Sequence, residues 1–466
     1  MNEILLSLSA KKLSSDVHVF DINNTTIILD VNSASLHVAD KETAHFLLAL
    51  KEAEGDEKKF RKLTEHISDD IKNEIAEALT SLIDEGTLFT ENENEDNYQP
   101  AQSVLKSLCL HISHDCNLRC KYCFAGTGHF GGKRMHMPLE TGKKALDFLL
   151  VNSGNRKQLE VDFFGGEPLL NFPVVKELVE YGEVEAAKRG KKITFTLTTN
   201  GVALTDEVIA WLNEKNIPVV LSLDGRKEIN DEMRPFPNGT GSFDVIVPRF
   251  KKLVQGRNED NYYLRGTFTR YNTDFTEDIK EMLAEGFTKL SLEPVVAEKE
   301  AAYAFQESDL PKLAQEYEKL ALFFEEERKK RDITFFHYNI DIYRGPCLPK
   351  RLSGCGAGHE YFAVTPEGHI YPCHQFVGKE EYLLGTLDDG IKKQDVVEKF
   401  RHAHIYAKDE CKSCWARFHC SGGCHANAYH QNGDIYKPYK IGCELQKKRI
   451  ECALYLEVKK LLNESR

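Results

Sequence analysis

No run of about 18 apolar residues occurs in this chain, so no membrane-spanning helix is expected. The amino terminus, MNEILLSLSAKKLSSD, lacks a basic segment followed by an apolar one, and does not read as a secretory signal. Positive charge is not in excess: 61 Lys and Arg stand against 73 Asp and Glu, a formal net charge of −12. That balance argues against a nucleic-acid partner. No internal repeat of fixed period is visible, which sets aside a stacked-repeat architecture. What remains is an ordinary soluble composition, 41% apolar and 29% charged, and a cytoplasmic location is expected. At 466 residues the chain is long enough for two or three domains and a large core.

Cysteine is the residue present beyond ordinary need. There are 13, and ten of them fall in two clustered arrays. In a large chain without a secretory signal, such clustering points to metal rather than to disulfides. The first array is Cys116, Cys120 and Cys123 in HDCNLRCKYCF, a C-x3-C-x2-C spacing. A closed zinc or iron–sulfur site takes four ligands. Three thiolates on a four-iron cube leave one iron free to bind a small molecule. The blander reading is a zinc knuckle or a set of core cysteines. The second array runs Cys355, Gly368, Cys373, then Cys411-x2-Cys414-x5-Cys420-x3-Cys424, then Cys443. Zinc would fit its C-x2-C pair but not all seven cysteines.

The chain divides by pattern. Residues 1–92 hold three strand-like runs (VHVFDI, TTIILDV, ASLHVA), then amphipathic helices over 41–53 and 70–85. They read as a separate winged-helix-like unit, tied on by an acidic linker at 93–104. Over 105–330, strand-like runs at 108–113, 159–164, 193–199, 218–223, 264–269 and 289–293 alternate with helical patterns. That alternation predicts a parallel α/β sheet curled as a partial (β/α)6 barrel. Residues 331–466 are rich in Cys, Gly and aromatics, a region expected to fold around metal with little apolar core of its own. Four motifs fall at the carboxyl ends of the first four barrel strands. They are the cysteine run, Gly165-Gly166-Glu167-Pro168, Thr199-Asn200-Gly201, and Ser222-Leu223-Asp224-Gly225. Barrels of this kind hold their active sites at that end.

The cysteine spacing, with Tyr122 and Phe124 flanking its last member, resembles the radical S-adenosylmethionine (SAM) enzymes. The resemblance implies that Cys116, Cys120 and Cys123 hold a [4Fe–4S] cluster whose open iron takes SAM. Gly165, Gly166 and Glu167 match the segment that binds the methionine amino group. Ser222 and Asp224 are candidates for the ribose hydroxyls. Arg234, in NDEMR, is the candidate for the SAM carboxylate, with Arg265 as its competitor. The implied chemistry is one-electron cleavage of SAM to a 5′-deoxyadenosyl radical, which takes a hydrogen atom from an unactivated carbon. No side chain is assigned a catalytic role.

The second array resembles the SPASM domain of peptide-modifying radical SAM enzymes. By that match Cys355, Cys373 and Cys424 hold one auxiliary [4Fe–4S] cluster, and Cys411, Cys414, Cys420 and Cys443 a second. Three clusters are thus implied in all. Cys347 is a further metal candidate: it either completes the first auxiliary cluster or leaves an iron open for a substrate thiolate. Cys109 and Cys452 fit no motif and read as core. His374 stands where anaerobic sulfatase maturases carry an Asp that acts as base. From the N-terminal unit to GCGAGHEYFAVTPEGHIYPCHQFVG, the chain looks like the SCIFF maturases and related ranthipeptide synthases. Those build thioether bridges in cysteine-rich, ribosomally made peptides (RiPPs). The implied partners are such a precursor with its leader, captured by strand addition at the N-terminal unit, and an electron donor such as flavodoxin or ferredoxin. The strand-then-helix pattern and the acidic linker lead to the expectation that this unit holds the leader but does no chemistry, so a chain beginning near residue 103 should still cleave SAM while losing affinity for the full precursor. The rivals are a sactipeptide synthase acting at an α-carbon, a sulfatase-type maturase, and a non-catalytic zinc protein that binds peptides.

Overall fold

Among the described residues, the first strands form a hairpin turned by two asparagines. In the computed structural model, which describes residues 15–92, 95, 98–257, 261–340, 342 and 348–464, β1 (Val17–Ile22) and β2 (Thr25–Asp30) are joined by Asn23 and Asn24. Both have positive φ, 48° and 57°. A two-residue turn of this hand matches the twist of paired strands, and Asn tolerates it. β3 (Leu36–Ala39) adds antiparallel to β2. Three helices follow: Lys41–Ala53, Glu57–Leu63 and Asp69–Asp84. Asp40, Asp56 and Ser68 cap them, each side chain accepting a first-turn N–H. The sequence pattern predicts only the outer two. The middle one, EKKFRKL, buries Phe60 alone and so shows no apolar stripe.

This segment is not the detached unit that its pattern suggests. Strand alternation sends Val17 and Ile28 toward Phe46, Leu50, Phe60 and Leu79 of the helices. It sends Phe20, Ile22, Ile27 and Leu29, with Val31 just beyond β2, into the cluster that holds the core of the main sheet. Polar contacts reinforce the joint. His18 stacks on Trp415 with ring centres 3.7 Å apart and planes 4° from parallel. The buried Arg417 donates to Ser15 O (2.7 Å), Asp16 Oδ1 (3.0 Å) and Asn32 Oδ1 (2.6 Å).

The main sheet is mostly parallel. β4 (Ser107–Ser113), β5 (Gln158–Gly165), β6 (Lys192–Thr199), β7 (Val219–Ser222), β8 (Tyr262–Phe268) and β9 (Lys289–Pro294) are neighbours in chain order, each parallel to the next. Helices Leu139–Asn152, Phe172–Lys188, Asp206–Glu214, Phe243–Gln255 and Phe275–Ala284 make the crossovers. The outward face of each strand is apolar, as with Val161 and Phe163, or Phe195 and Leu197. The inward face is mixed: beside Phe164, Val220 and Tyr263, the polar Asp162, Thr196, Thr198, Arg265, Thr267 and Glu293 line one central cavity. A parallel sheet usually buries apolar side chains on both faces, so these inward polar groups mark a place for a ligand.

The sheet runs past residue 330 at both edges. β10 (Thr334–Phe335) pairs parallel with β9. β11 (Tyr361–Val364) pairs parallel with β4, and β12 (His369–Tyr371), β13 (Gly385–Thr386) and β14 (Gly390–Ile391) continue it antiparallel. The cysteine-rich region also has an apolar core, which its pattern does not suggest. Ala363, Tyr371, Phe376, Tyr382, Phe400, Ala426 and Ile435 are buried together. They come from short strands, single helical turns, a loop and two eight-residue helices, Gln394–Arg401 and His425–Asn432, each giving only one or two core residues, so they carry no period that a sequence reading could detect. The last helix, Lys440–Glu464, lies along helix Leu310–Glu327, with Tyr455 Oη donating to Glu325 Oε2 at 2.5 Å. Cys452 on it is fully buried, and Cys109 nearly so. Among the described residues, no helix is long and apolar enough to cross a membrane.

Candidate functional site

The loop after β4 carries Cys116, Cys120 and Cys123, and neighbouring backbone pins it. Arg119 N donates to Pro235 O (2.8 Å) and Lys121 N to Met233 O (2.9 Å). The loop after β5 lies directly against it: Gly166 N donates to Ser113 O (2.8 Å) and Glu167 N to Asp115 O (2.9 Å). This approach explains both glycines. A Cβ on Gly165, whose φ is +122°, would lie 2.3 Å from Ser113 O, and one on Gly166 would lie 2.2 Å from Asp115 O. Glu167 is fully buried and accepts from Leu169 N (3.1 Å), Thr199 Oγ1 (2.8 Å) and Asn200 N (2.9 Å). It thus ties the end of β5 to the end of β6. Burial pushes its carboxyl up to about 7 despite those bonds. Asn200 Nδ2 in turn reaches Cys116 Sγ at 3.5 Å.

A second network crosses from the cysteine loop to β7 and β8. Arg234 Nη1 donates to Tyr122 Oη (2.7 Å), and Tyr122 donates to Asp224 Oδ2 (2.6 Å). Thr267 N donates to Asp224 Oδ1 (3.0 Å). Asp224 is wholly buried with both oxygens bonded inside the protein, and it is not on the cavity wall. The expectation that it meets a ribose is therefore corrected: it anchors Tyr122 and Arg234. Ser222 does line the cavity, and so does Arg234, whose Nε is buried without a partner. Arg265 also faces the cavity but is paired with Glu293 at 2.9 Å. Burial pushes Glu293 up; Arg265, with His337 and Arg449 behind it, outweighs that and holds it at about 2.

The cysteines gather in three sets. Burial pushes the Cys116 thiol up to about 12 and the Cys120 thiol to about 11, and each feels the Cys123 thiol beside it. Cys373 is raised by burial and by its neighbours Cys424 and Cys355. Cys443 is pushed to about 12 by burial and by Cys420, Cys411 and Cys414. Cys347 lies outside the described residues. The two C-terminal sets are interleaved in sequence: Cys420 belongs to one and Cys424 to the other. Cys373 follows β12, delivered by the tight turn in which Gly368 has φ +87°.

One cavity of about 1030 Å³ joins these features. Cys116, Cys120 and Cys123 wall one part of it, and Cys420, Cys424 and Cys443 another. His374 also lines it, with Nδ1 3.1 Å from Tyr361 Oη and the ring held between Phe124 and Phe164. Burial keeps this imidazole neutral, its value lowered to about 4. Asp162, Tyr361, Glu293 and Arg449 are wall residues that no motif announces. The signal for Asp162 and Glu293 is polar alternation within otherwise apolar strands. Arg449 arrives on the last helix and has no local signal.

The residues fit an iron–sulfur cluster with SAM. Three thiols of one loop face a common space, where positive iron would offset the burial that raises Cys116 and Cys120. The orphaned Nε of Arg234 is a donor suited to a carboxylate. Each thiolate of a cube binds its own iron, so the thiolates need not meet at one point. Among the described residues, no three His, Cys, Asp or Glu side chains converge on a single ion.

Comparison with known proteins agrees with this geometry. The sequence profile of the Radical SAM superfamily matches residues 110–287. The chain is 22% identical to the radical SAM cyclopropyl synthase TigE of Paramaledivibacter caminithermalis, over 80% of this chain and 82% of that one. Native anSMEcpe with bound AdoMet superposes with a TM-score of 0.64 at 21% identity, covering 77% of this chain and all of that one. SuiB of Streptococcus suis bound to S-adenosylmethionine superposes with a TM-score of 0.54 at 19% identity, over 92% and 99%. Both structures are also known with peptides: Cp18Cys on anSMEcpe and the precursor SuiA on SuiB.

Proposed function

We propose, from the premise that this chain is a radical SAM superfamily enzyme, that it is a maturase forming thioether crosslinks from cysteines of a ribosomally made peptide. When bound, the cluster and SAM supply one-electron chemistry able to take hydrogen from an unactivated carbon. The chain's own residues bind and orient. Cys116, Cys120 and Cys123 hold the cluster; the Gly165–Glu167 backbone and Ser222 cradle SAM; Arg234, aimed by Tyr122 and Asp224, meets its carboxylate. Cys355, Cys373 and Cys424, then Cys411, Cys414, Cys420 and Cys443, hold two further clusters. A substrate thiolate and the carbon it attacks would meet in the cavity between.

The observation that carries this reading is that one cavity is walled by the SAM-site cysteines and by members of both other sets. A plain SAM-cleaving enzyme has no need of thiol arrays facing its substrate. On this reading the leader peptide adds as a strand to β3, one of the two edge strands of the N-terminal sheet. Peptide complexes of the structural neighbours support a peptide substrate, and membership of a catalytic superfamily sets aside the non-catalytic zinc reading. The test is anaerobic incubation with SAM, a reductant and a cysteine-rich precursor, followed by mass spectrometry. Loss of a hydrogen pair per bridge, with fragmentation blocked between Cys and acceptor, is expected. Cleavage of SAM with no change in any such peptide would overturn it.

A further inference from the structure

Lys408 is out of place by ordinary rules. It is 1% exposed, yet no carboxylate pairs with it among the described residues. Its ammonium donates one hydrogen bond, from Nζ to Gly422 O at 2.8 Å. An unpaired buried ammonium costs several kcal/mol, and a lysine so placed ordinarily has an anion beside it. The nearby imidazoles do not serve: burial, with the Lys408 charge as a further cause, holds His404 and His425 at about 4, so both are neutral at pH 7.

What surrounds Lys408 is thiols. Its backbone carbonyl accepts from Cys411 N at 2.9 Å, at the start of one cysteine set. Gly422, its side-chain partner, lies midway between Cys420 of that set and Cys424 of the other. Burial lowers the pKa of this ammonium, and Cys411, Cys420 and Cys443, with Cys424 across the divide, act in the opposite direction. In the thiol form these groups offer no charge. As ligands of iron–sulfur clusters they become thiolates, and a cube with four of them is net negative, more so by one on reduction.

We infer that Lys408 is the shared counter-charge of the two C-terminal clusters and raises their reduction potentials. This rests on reading the two sets as iron–sulfur ligands. A fixed cation in a low-dielectric setting favours the state with the extra electron, and net charge around a cluster is one of the determinants of its potential. Lys408 is thus a positioning residue for electrons: it would ready both clusters to accept one from a forming bond in the cavity.

The test compares anaerobic holoenzyme with its Lys408→Met and Lys408→Arg variants. Iron and sulfide are counted, and the clusters are titrated by spectropotentiometry. Met keeps the length and apolar stem without charge, and Arg keeps the charge. At the wild-type midpoints, Lys408→Met should lower the reduced-to-oxidised ratio of both C-terminal clusters about tenfold, ~59 mV for one electron. The SAM-site cluster should not move, and Lys408→Arg should stay within about threefold of wild type. Full iron with unchanged potentials in Lys408→Met would overturn the inference. Should Lys408→Met lose iron, Lys408→Gln replaces it, and an Arg variant shifted as far as the neutral one would equally overturn it. The underlying cluster reading fails separately, if wild-type protein holds about four irons rather than about twelve.

Discussion

Changing Ile27 to Ala asks whether the N-terminal sheet is a passenger or part of the main body. Ile27 is fully buried on β2, opposite Phe20 of β1 and Val38 of β3, and its side chain enters the main core. Truncating a buried Ile to Ala costs about 2–5 kcal/mol, from lost transfer energy and the cavity left behind. Whole-domain stability is only about 5–15 kcal/mol, so the effect is large. The assay is denaturant unfolding of anaerobic holoprotein, with far-UV circular dichroism and iron–sulfur absorbance read together. Both signals should shift to lower denaturant in step. A cost below about 0.5 kcal/mol, typical of a surface site, would refute the packing argument. So would an early loss of ellipticity that leaves the iron absorbance in place. The same reasoning bears on truncation. Removing Phe20, Ile22, Ile27, Leu29 and Val31 strips five side chains from the main core. At about 1.5–3 kcal/mol each the loss is roughly 7–15 kcal/mol, an upper bound that matches the stability of a domain. A chain beginning near Ser103 is therefore expected to be insoluble or to load iron poorly, rather than to cleave SAM normally.

Replacing Cys116, Cys120 and Cys123 together by Ala should abolish 5′-deoxyadenosine formation and leave about two-thirds of the iron; SAM cleavage persisting in that variant would remove the assignment. Tyr122→Phe takes a partner from both Asp224 and Arg234, a buried loss of about 1–3 kcal/mol. SAM affinity measured by equilibrium binding should fall about tenfold, ~1.4 kcal/mol, and an unchanged Kd would show that Arg234 needs no aiming. Cys347→Ala should keep the cluster of Cys355, Cys373 and Cys424 and retain most thioether formation, as measured by iron content and peptide mass; complete loss of that cluster would make Cys347 an obligatory ligand.

The chain alone determined the barrel's strands and the grouping of its rim motifs, because both rest on local order. Apolar runs alternating with amphipathic helices fix β4 to β9 wherever the rest of the chain lies. Cys116, Cys120 and Cys123 sit close because few residues separate them. The two glycines at the end of β5 were legible as a close approach, though only the fold shows that the approaching backbone is that of Ser113 and Asp115, leading into the cysteine loop. Tertiary structure decided what depends on distant partners. Asp224 looks like a ligand residue in SLDG, yet Tyr122 and Thr267, far away in sequence, take both its oxygens. The N-terminal sheet looks independent because its strands alternate, and alternation cannot tell whether the second face meets solvent or another core. Arg449, Glu293 and Lys408 are unremarkable charges in the sequence. Each gains meaning from where a helix, a strand edge or a loop delivers it, since burial and electrostatic neighbours are properties of the packed chain and not of any segment within it.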